Sequence, residues 1–132
     1  MGGRPARAGD RRLRTAAITP PRHWAEVLAR RHLEALGWQV SDANVASRGG
    51  EIDLVARDGA TVVFVEVRQR RNLRFGHPGE TIDHAKLRRW VAAARRYLAE
   101  KVGDADAPSR FDAILVVGDP AGAELTHLRD VI

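Results

Sequence analysis

Three carboxylates, Glu51, Asp53 and Glu66, interrupt the most apolar part of the chain, and Arg68 follows two positions after the last of them. The stretch reads GGEIDLVARDGATVVFVEVRQR over residues 49–70. Asp58-Gly59 between its two apolar runs is a strong hairpin-turn signal. With those two residues as the loop, Arg57 faces Ala60, Asp53 lies opposite Phe64, and Glu51 lies opposite Glu66. Side chains alternate along a strand, so Glu51, Asp53, Glu66 and Arg68 are expected on one face. Asp53 and Glu66 are then diagonal neighbours, roughly 7–8 Å apart.

Like charges facing each other across strands repel, and buried carboxylates are costly unless compensated. Such a group calls for protonation, an arginine partner or a cation. Oxygen-only ligands in small number suit Mg²⁺ or Mn²⁺, which keeps several waters and completes its shell with a phosphate. A phosphodiester would supply that phosphate, and a cationic side chain such as Arg68 would stabilise the added charge on phosphorus. The competing expectation is that Arg48, Arg68 and Arg70 simply neutralise the three acids at a sheet edge. Both readings stand on the residues alone.

The elements that must position these groups follow from periodicity. A helix is expected over about residues 21–36, stopped by Gly37. Its apolar face carries Trp24, Ala25, Leu28, His32, Leu33, Ala35 and Leu36, with Glu26 at the edge and His32 as a packed, hydrogen-bonded residue. Residues 38–40 read as a short strand and 69–80 as a basic loop. A second helix is expected over about 83–101, with Leu87, Trp90, Val91, Ala94, Tyr97 and Leu98 as its buried stripe. Lys86, Arg89 and Arg96 fall on one flank of that helix, and Arg88 and Arg95 on the other. Strands follow at 111–117 and 124–128. Helix, strands, helix, strands make an α/β or α+β layered domain over 21–132, preceded by a basic tail over 1–20.

The 132 residues fit one domain with a modest core. Cysteine is absent, which excludes disulfides and thiolate metal sites. No apolar run approaches the roughly 20 residues of a membrane span, so a cytoplasmic protein with no membrane partner is expected. His77 and His84 are too far apart for ligation from one helix, and His23 and His127 have no evident partners, so zinc is not expected. The net charge of +5 is unevenly distributed. Residues 68–96 hold nine basic and two acidic groups, whereas 23–67 and 97–132 sum to −3 and −4. A basic segment beside acidic ones suits a polyanion held near a cation site.

Beyond these readings, the chain resembles the bacterial YraN family. The resemblance runs from AEVLARRHLEALGWQV through GGEIDLVARDG, VVFVEVRQR and FGHPGETIDHAKLRRWVAAARRYL to RFDAILVV. It implies a restriction-endonuclease-like core, a central mixed sheet flanked by helices, with a PD-(D/E)XK type of metal site similar to that of archaeal Holliday-junction resolvases. By position, Glu26 matches the outlying acid of the first helix. Asp53 and Glu66 match the metal-binding pair. Arg68 stands where active nucleases of this fold carry Lys, and Lys86 matches a lysine of the second helix. Guanidinium stays charged and cannot serve as a base, which weakens the expectation of cleavage. The basic segment on such a fold points to nucleic acid, DNA foremost, as partner, with Arg70, Arg71, Arg74, Arg88, Arg89, Arg95 and Arg96 on its backbone. A homodimer is the assembly common among branched-DNA enzymes of this fold. A silent binding module that keeps the fold is the alternative.

Overall fold

The computed structural model describes residues 21–47, 50–72 and 84–132. The expectations for the tail over 1–20 and for Arg48, Arg74, His77 and Asp83 lie outside the described residues. A five-stranded mixed sheet in the order β1-β2-β3-β4-β5 carries one helix on each face, an α+β fold. The elements are α1 (Pro21–Ala35), β1 (Gln39–Ser47), β2 (Gly50–Asp58), β3 (Thr61–Arg70), α2 (His84–Tyr97), β4 (Ser109–Val117) and β5 (Glu124–Leu128). Only β3 and β4 run parallel. That pair requires the long crossover that contains α2.

Alternation in β3 and β4 builds both layers at once. Val63, Val65 and Val67 join Ile114 and Val116 under α1, while Val62 and Phe64 meet Ala93, Ala94 and Tyr97 of α2. Strands buried on both faces read as continuous apolar runs. The centre of the α1 face is Ala25, Ala29 and Leu33, all fully buried, at i, i+4 and i+8. This corrects the expected face: Ala29 was missing from it, and Ala35 and Leu36 prove exposed. Small alanines let the helix lie close on the valine-rich sheet. Gly37, at φ 87°, ends α1, and its N–H and that of Trp38 return to the carbonyls of Glu34 and Leu33. α2 stops at Tyr97 and passes into one π-helical turn, Leu98–Val102, before Gly103.

β1 is longer than expected. QVSDANVAS lacks a clean period because it carries an irregularity between Val40 and Asp42. β5 matches its expected bounds.

Candidate metal site and nucleic-acid interface

The hairpin turn is shifted from its expected place. Asp58 pairs with Thr61, leaving Gly59 and Ala60 as the loop, and the register continues through Val55–Phe64 to Leu54–Val65. Gly59 takes φ 61°, the left-handed conformation such a turn requires. The change is two positions, so the alternation of β3 is unaffected, but Asp53 and Glu66 become the next positions in register rather than diagonal neighbours.

At Asp53 the regular ladder gives way. The backbone N–H of Val67 donates to Asp53 Oδ2 at 2.8 Å. A side-chain oxygen thus takes a donor that antiparallel pairing would send to a strand carbonyl. Beyond this point, β2 keeps its pairing with β1 through Val45–Ile52, Ala46–Glu51 and Ser47–Gly50. Ile52 packs with Val55 in the α2 layer although Leu54 packs in the α1 layer. Alternation therefore slips by one residue at Asp53. Glu51 falls on the opposite parity from Ile52 and leaves the face it was expected to share with Glu66 and Arg68. The slip could not be read from a sequence whose apolar runs are continuous and mark no face.

What the structure brings together is Asp53, Glu66, Arg68, Lys86 and Trp90. Asp53 is 1% exposed, and its carboxylate lies against the Glu66–Val67 peptide. Glu66 points to the α2 layer, where Lys86 Nζ lies 3.0 Å from its Oε2. The Lys86 ammonium also sits 5.2 Å from the centroid of the buried Trp90 ring. Arg68 is buried, with its guanidinium carbon 6.0 Å from the same centroid. Trp90 is fixed in turn by stacking on Phe111 at an interplanar angle of 14°. A planar guanidinium packs on such a surface better than an ammonium does.

Glu26 was expected as the outlying acid of the site. It lies on α1, across the sheet from α2, and accepts from Asn44 Nδ2 at 3.1 Å. Among the described residues, no group of three or more His, Asp or Glu side chains is arranged to hold a metal ion.

On the outer side of α2, Ala85, Arg88, Arg89, Ala92 and Arg96 line an open depression of about 520 Å³. Arg88, expected on the opposite flank from Arg89 and Arg96, shares the depression with them. Arg95 is exposed nearby on the same helix. Arg70 and Arg71, at the end of β3, are both exposed, and Arg70 Nη1 donates to the Gln69 carbonyl at 2.8 Å.

His32, expected as a packed and hydrogen-bonded residue, belongs to a second polar group whose other members the sequence did not connect to it. His127 was left without partners, yet its Nε2 lies 2.8 Å from Asp112 Oδ2 and its Nδ1 lies 3.0 Å from His32 Nε2. Asp112, 1% exposed, also accepts from Arg110 Nε and from the Asp130 N–H, both at 3.0 Å. Arg110 continues to Asp58 at 3.2 Å. Burial pushes the Asp112 carboxyl up, but the hydrogen bonds from His127, Asp130 and Arg110 outweigh it and hold the group below its ordinary value. Asp112 accepts from His127 Nε2, and His127 Nδ1 shares a hydrogen bond with His32 Nε2. Desolvation, then the charges of His127 and Arg129, hold His32 below its ordinary value. The network lies in the α1 layer, on the other face from Glu66. The signal that could have found it is Arg110-x-Asp112 at the head of an apolar strand.

The family model for the Uncharacterised protein family UPF0102 matches residues 25–116. A UPF0102 protein of Beutenbergia cavernae is 48% identical over 110 residues, covering 82% of this chain and 92% of its own. One of Dechloromonas aromatica is 50% identical over 95 residues, covering 72% and 77%. The UPF0102 protein YraN of Salmonella agona is 44% identical over 106 residues, covering 80% and 78%. The matched span runs from the buried Ala25 of α1 to Val116 of β4 and so includes every residue of the Asp53–Glu66–Arg68–Lys86 group. The chain belongs to the UPF0102 family.

Proposed function

We propose that this protein binds the phosphate backbone of nucleic acid, DNA foremost, and that Asp53 and Glu66 hold Mg²⁺ or Mn²⁺ beside that backbone on a restriction-endonuclease-like core. The observation that carries the reading is that one helix serves both tasks. α2 turns Arg88, Arg89 and Arg96 to solvent around an open depression and sends Lys86 to Glu66 at 3.0 Å. Arginines at such a surface hold phosphates without reading bases.

The donor chemistry fits a divalent cation of this kind. Two carboxylates with substrate phosphates suffice for Mg²⁺, and Glu66 already holds a cation in the form of the Lys86 ammonium. A bound ion would polarise a phosphoryl oxygen and lower the pKa of a water. The chain's own part is electrostatic. Lys86, with a third of its side chain exposed, can turn from Glu66 to a phosphate. Arg68, buried against Trp90, presents a fixed positive charge that does not take up a proton from water.

The decisive experiment incubates the purified protein with branched, single-stranded and duplex DNA and with RNA, in Mg²⁺ or Mn²⁺, beside Glu66→Ala. Metal-dependent cleavage that Glu66→Ala abolishes establishes a nuclease. Binding without cleavage establishes the second reading, a silent backbone-binding module, which the packing of Arg68 on Trp90 favours. Absence of salt-dependent binding to every substrate refutes both.

A further inference from the structure

The parallel strands β3 and β4 end side by side, and the Gly118 N–H donates to the Arg70 carbonyl at 2.9 Å to close that end. Just beyond it, on the α1 side, lies a cavity of about 450 Å³ lined by Trp24, Gln69, Arg71, Gly118, Asp119 and Pro120. The crevice outside the carboxyl ends of parallel strands is where open sheets bind ligands. The volume falls in the range of small-molecule sites, roughly 300–1,000 Å³. None of its lining residues belongs to the Asp53–Glu66 group, and the metal and backbone roles proposed above leave the cavity unused.

Its walls are firmly set. Gln69 Nε2 donates to the Gly118 carbonyl at 3.2 Å. Asp119 Oδ1 accepts from the N–H groups of Ala121 and Gly122 at 3.0 and 3.1 Å, which fixes the loop leaving β4. Gly118 has φ 119°, and a Cβ there would lie 3.1 Å from Ala123 Cα. The contents are unusual for a structural gap. Trp24, packed at the rim of the α1 core and half-buried, gives an aromatic surface. Arg71, exposed, gives a cation at the mouth. Asp119 gives a carboxylate that repels phosphate and accepts N–H donors.

We propose that this cavity takes a single unstacked nucleotide, its base against Trp24 with the N–H edge toward Asp119, and its phosphate on Arg71. The arrangement matches the aromatic-plus-cation composition by which proteins hold bases outside a duplex. Opposite charges at the two ends orient the ligand, since Asp119 excludes the phosphate that Arg71 attracts. The nucleotide is either free or part of a single strand. The second case deepens the backbone-binding reading and rests on it. Gln69 follows Arg68 in β3 on the opposite face. At about 3.3 Å per residue, a strand crossing the end of the sheet meets both sites within a short span.

The test uses the full chain and measures affinity for adenosine monophosphate, inorganic phosphate, a single-stranded oligonucleotide and the same sequence as duplex, at one salt concentration. In the natural protein, single strand is expected to bind more tightly than duplex. Trp24→Leu is expected to weaken single-strand binding about ten-fold and to leave duplex binding unchanged, while Trp24→Phe retains it. Arg71→Ala, at an exposed position, guards against a folding defect in Trp24→Leu and should weaken the same ligand several-fold. Adenosine monophosphate binding that is lost in both variants identifies a free nucleotide as sufficient. Single-strand binding that depends on Trp24 without monophosphate binding identifies a nucleotide within a strand. Either result supports the proposal, even if duplex binding is absent and the backbone reading on α2 fails. Phosphate binding as tightly as the monophosphate overturns the proposal. So do Trp24→Leu and Arg71→Ala variants that bind single strand and monophosphate as the natural chain does.

Discussion

Asp53 is both a structural acceptor and a candidate ligand, and two substitutions separate the roles. Asp53→Asn keeps an oxygen for the Val67 N–H, so folding stability is expected to stay close to that of the natural chain while any metal dependence is lost. Asp53→Ala leaves that buried donor unsatisfied and is expected to cost about 1–3 kcal/mol in urea unfolding. Arg68→Lys tests the chemistry of the position. It exchanges a stacked, permanently charged guanidinium for a group that can order or deprotonate water, so at an impaired catalytic site metal-dependent cleavage is expected to rise while duplex binding hardly changes, and at a site that only binds no cleavage is expected and binding weakens slightly. A cleavage assay and a binding isotherm on the same preparation check both. His32 belongs to a different balance. Its pKa is lowered in the fold, so below about pH 6.5 the unfolded chain takes up the proton more readily and stability declines as pH falls. His32→Gln keeps a donor for His127 and removes the titration. Thermal melts from pH 7.5 to 5.5 are expected to fall less for that variant. Asp112 acts in the same direction at more acid pH. Its lowered pKa gives stability that is present above about pH 4 and lost as pH drops through the folded value.

The strands owe their form to different causes. β3 and β4 are legible as strands because burial on both faces demands continuous apolar residues. β1 is a strand because β2 pairs with it. Its own residues, with Asn44 at φ 50° and an irregularity at Ser41, do not announce one. The junction after β4 depends on one backbone position. Gly118→Ala places a methyl 3.1 Å from backbone at a φ that side chains avoid and is expected to cost about 1–3 kcal/mol. Chemical denaturation measures that loss. An exposed control such as Gly122→Ala, which meets nothing within 4 Å, should lose far less.

Across the molecule, charge is segregated by element rather than spread. The exposed arginines of α2 and of the end of β3 carry the basic charge, while the segments 23–67 and 97–132 are net acidic. Binding to duplex DNA is therefore expected to fall steeply with salt. The double variant Arg88→Ala/Arg96→Ala should lower the slope of log affinity against log salt by about 2, near 0.9 per lost phosphate contact. Among the described residues, the fully buried ones begin at Ala25. Deleting residues 1–19 is accordingly expected to leave the melting temperature nearly unchanged and to weaken duplex binding only modestly, a comparison that calorimetry and a salt titration make directly.

Sequence by itself determined the helices, the apolar central strands, the α+β class and the family. These rest on periodicity, turn chemistry and local motifs, which act over a few residues. It also marked Asp53, Glu66, Arg68 and Lys86 as residues to watch. Only the tertiary structure decided how they meet. The two-position shift of the hairpin and the slip at Asp53 that moves Glu51 to the opposite parity both depend on which strand carries the neighbouring hydrogen bond. The His32–His127–Asp112 network stayed hidden for the same reason. Its members are 95 and 15 residues apart in the chain, and no local pattern couples groups that only packing brings to 3 Å.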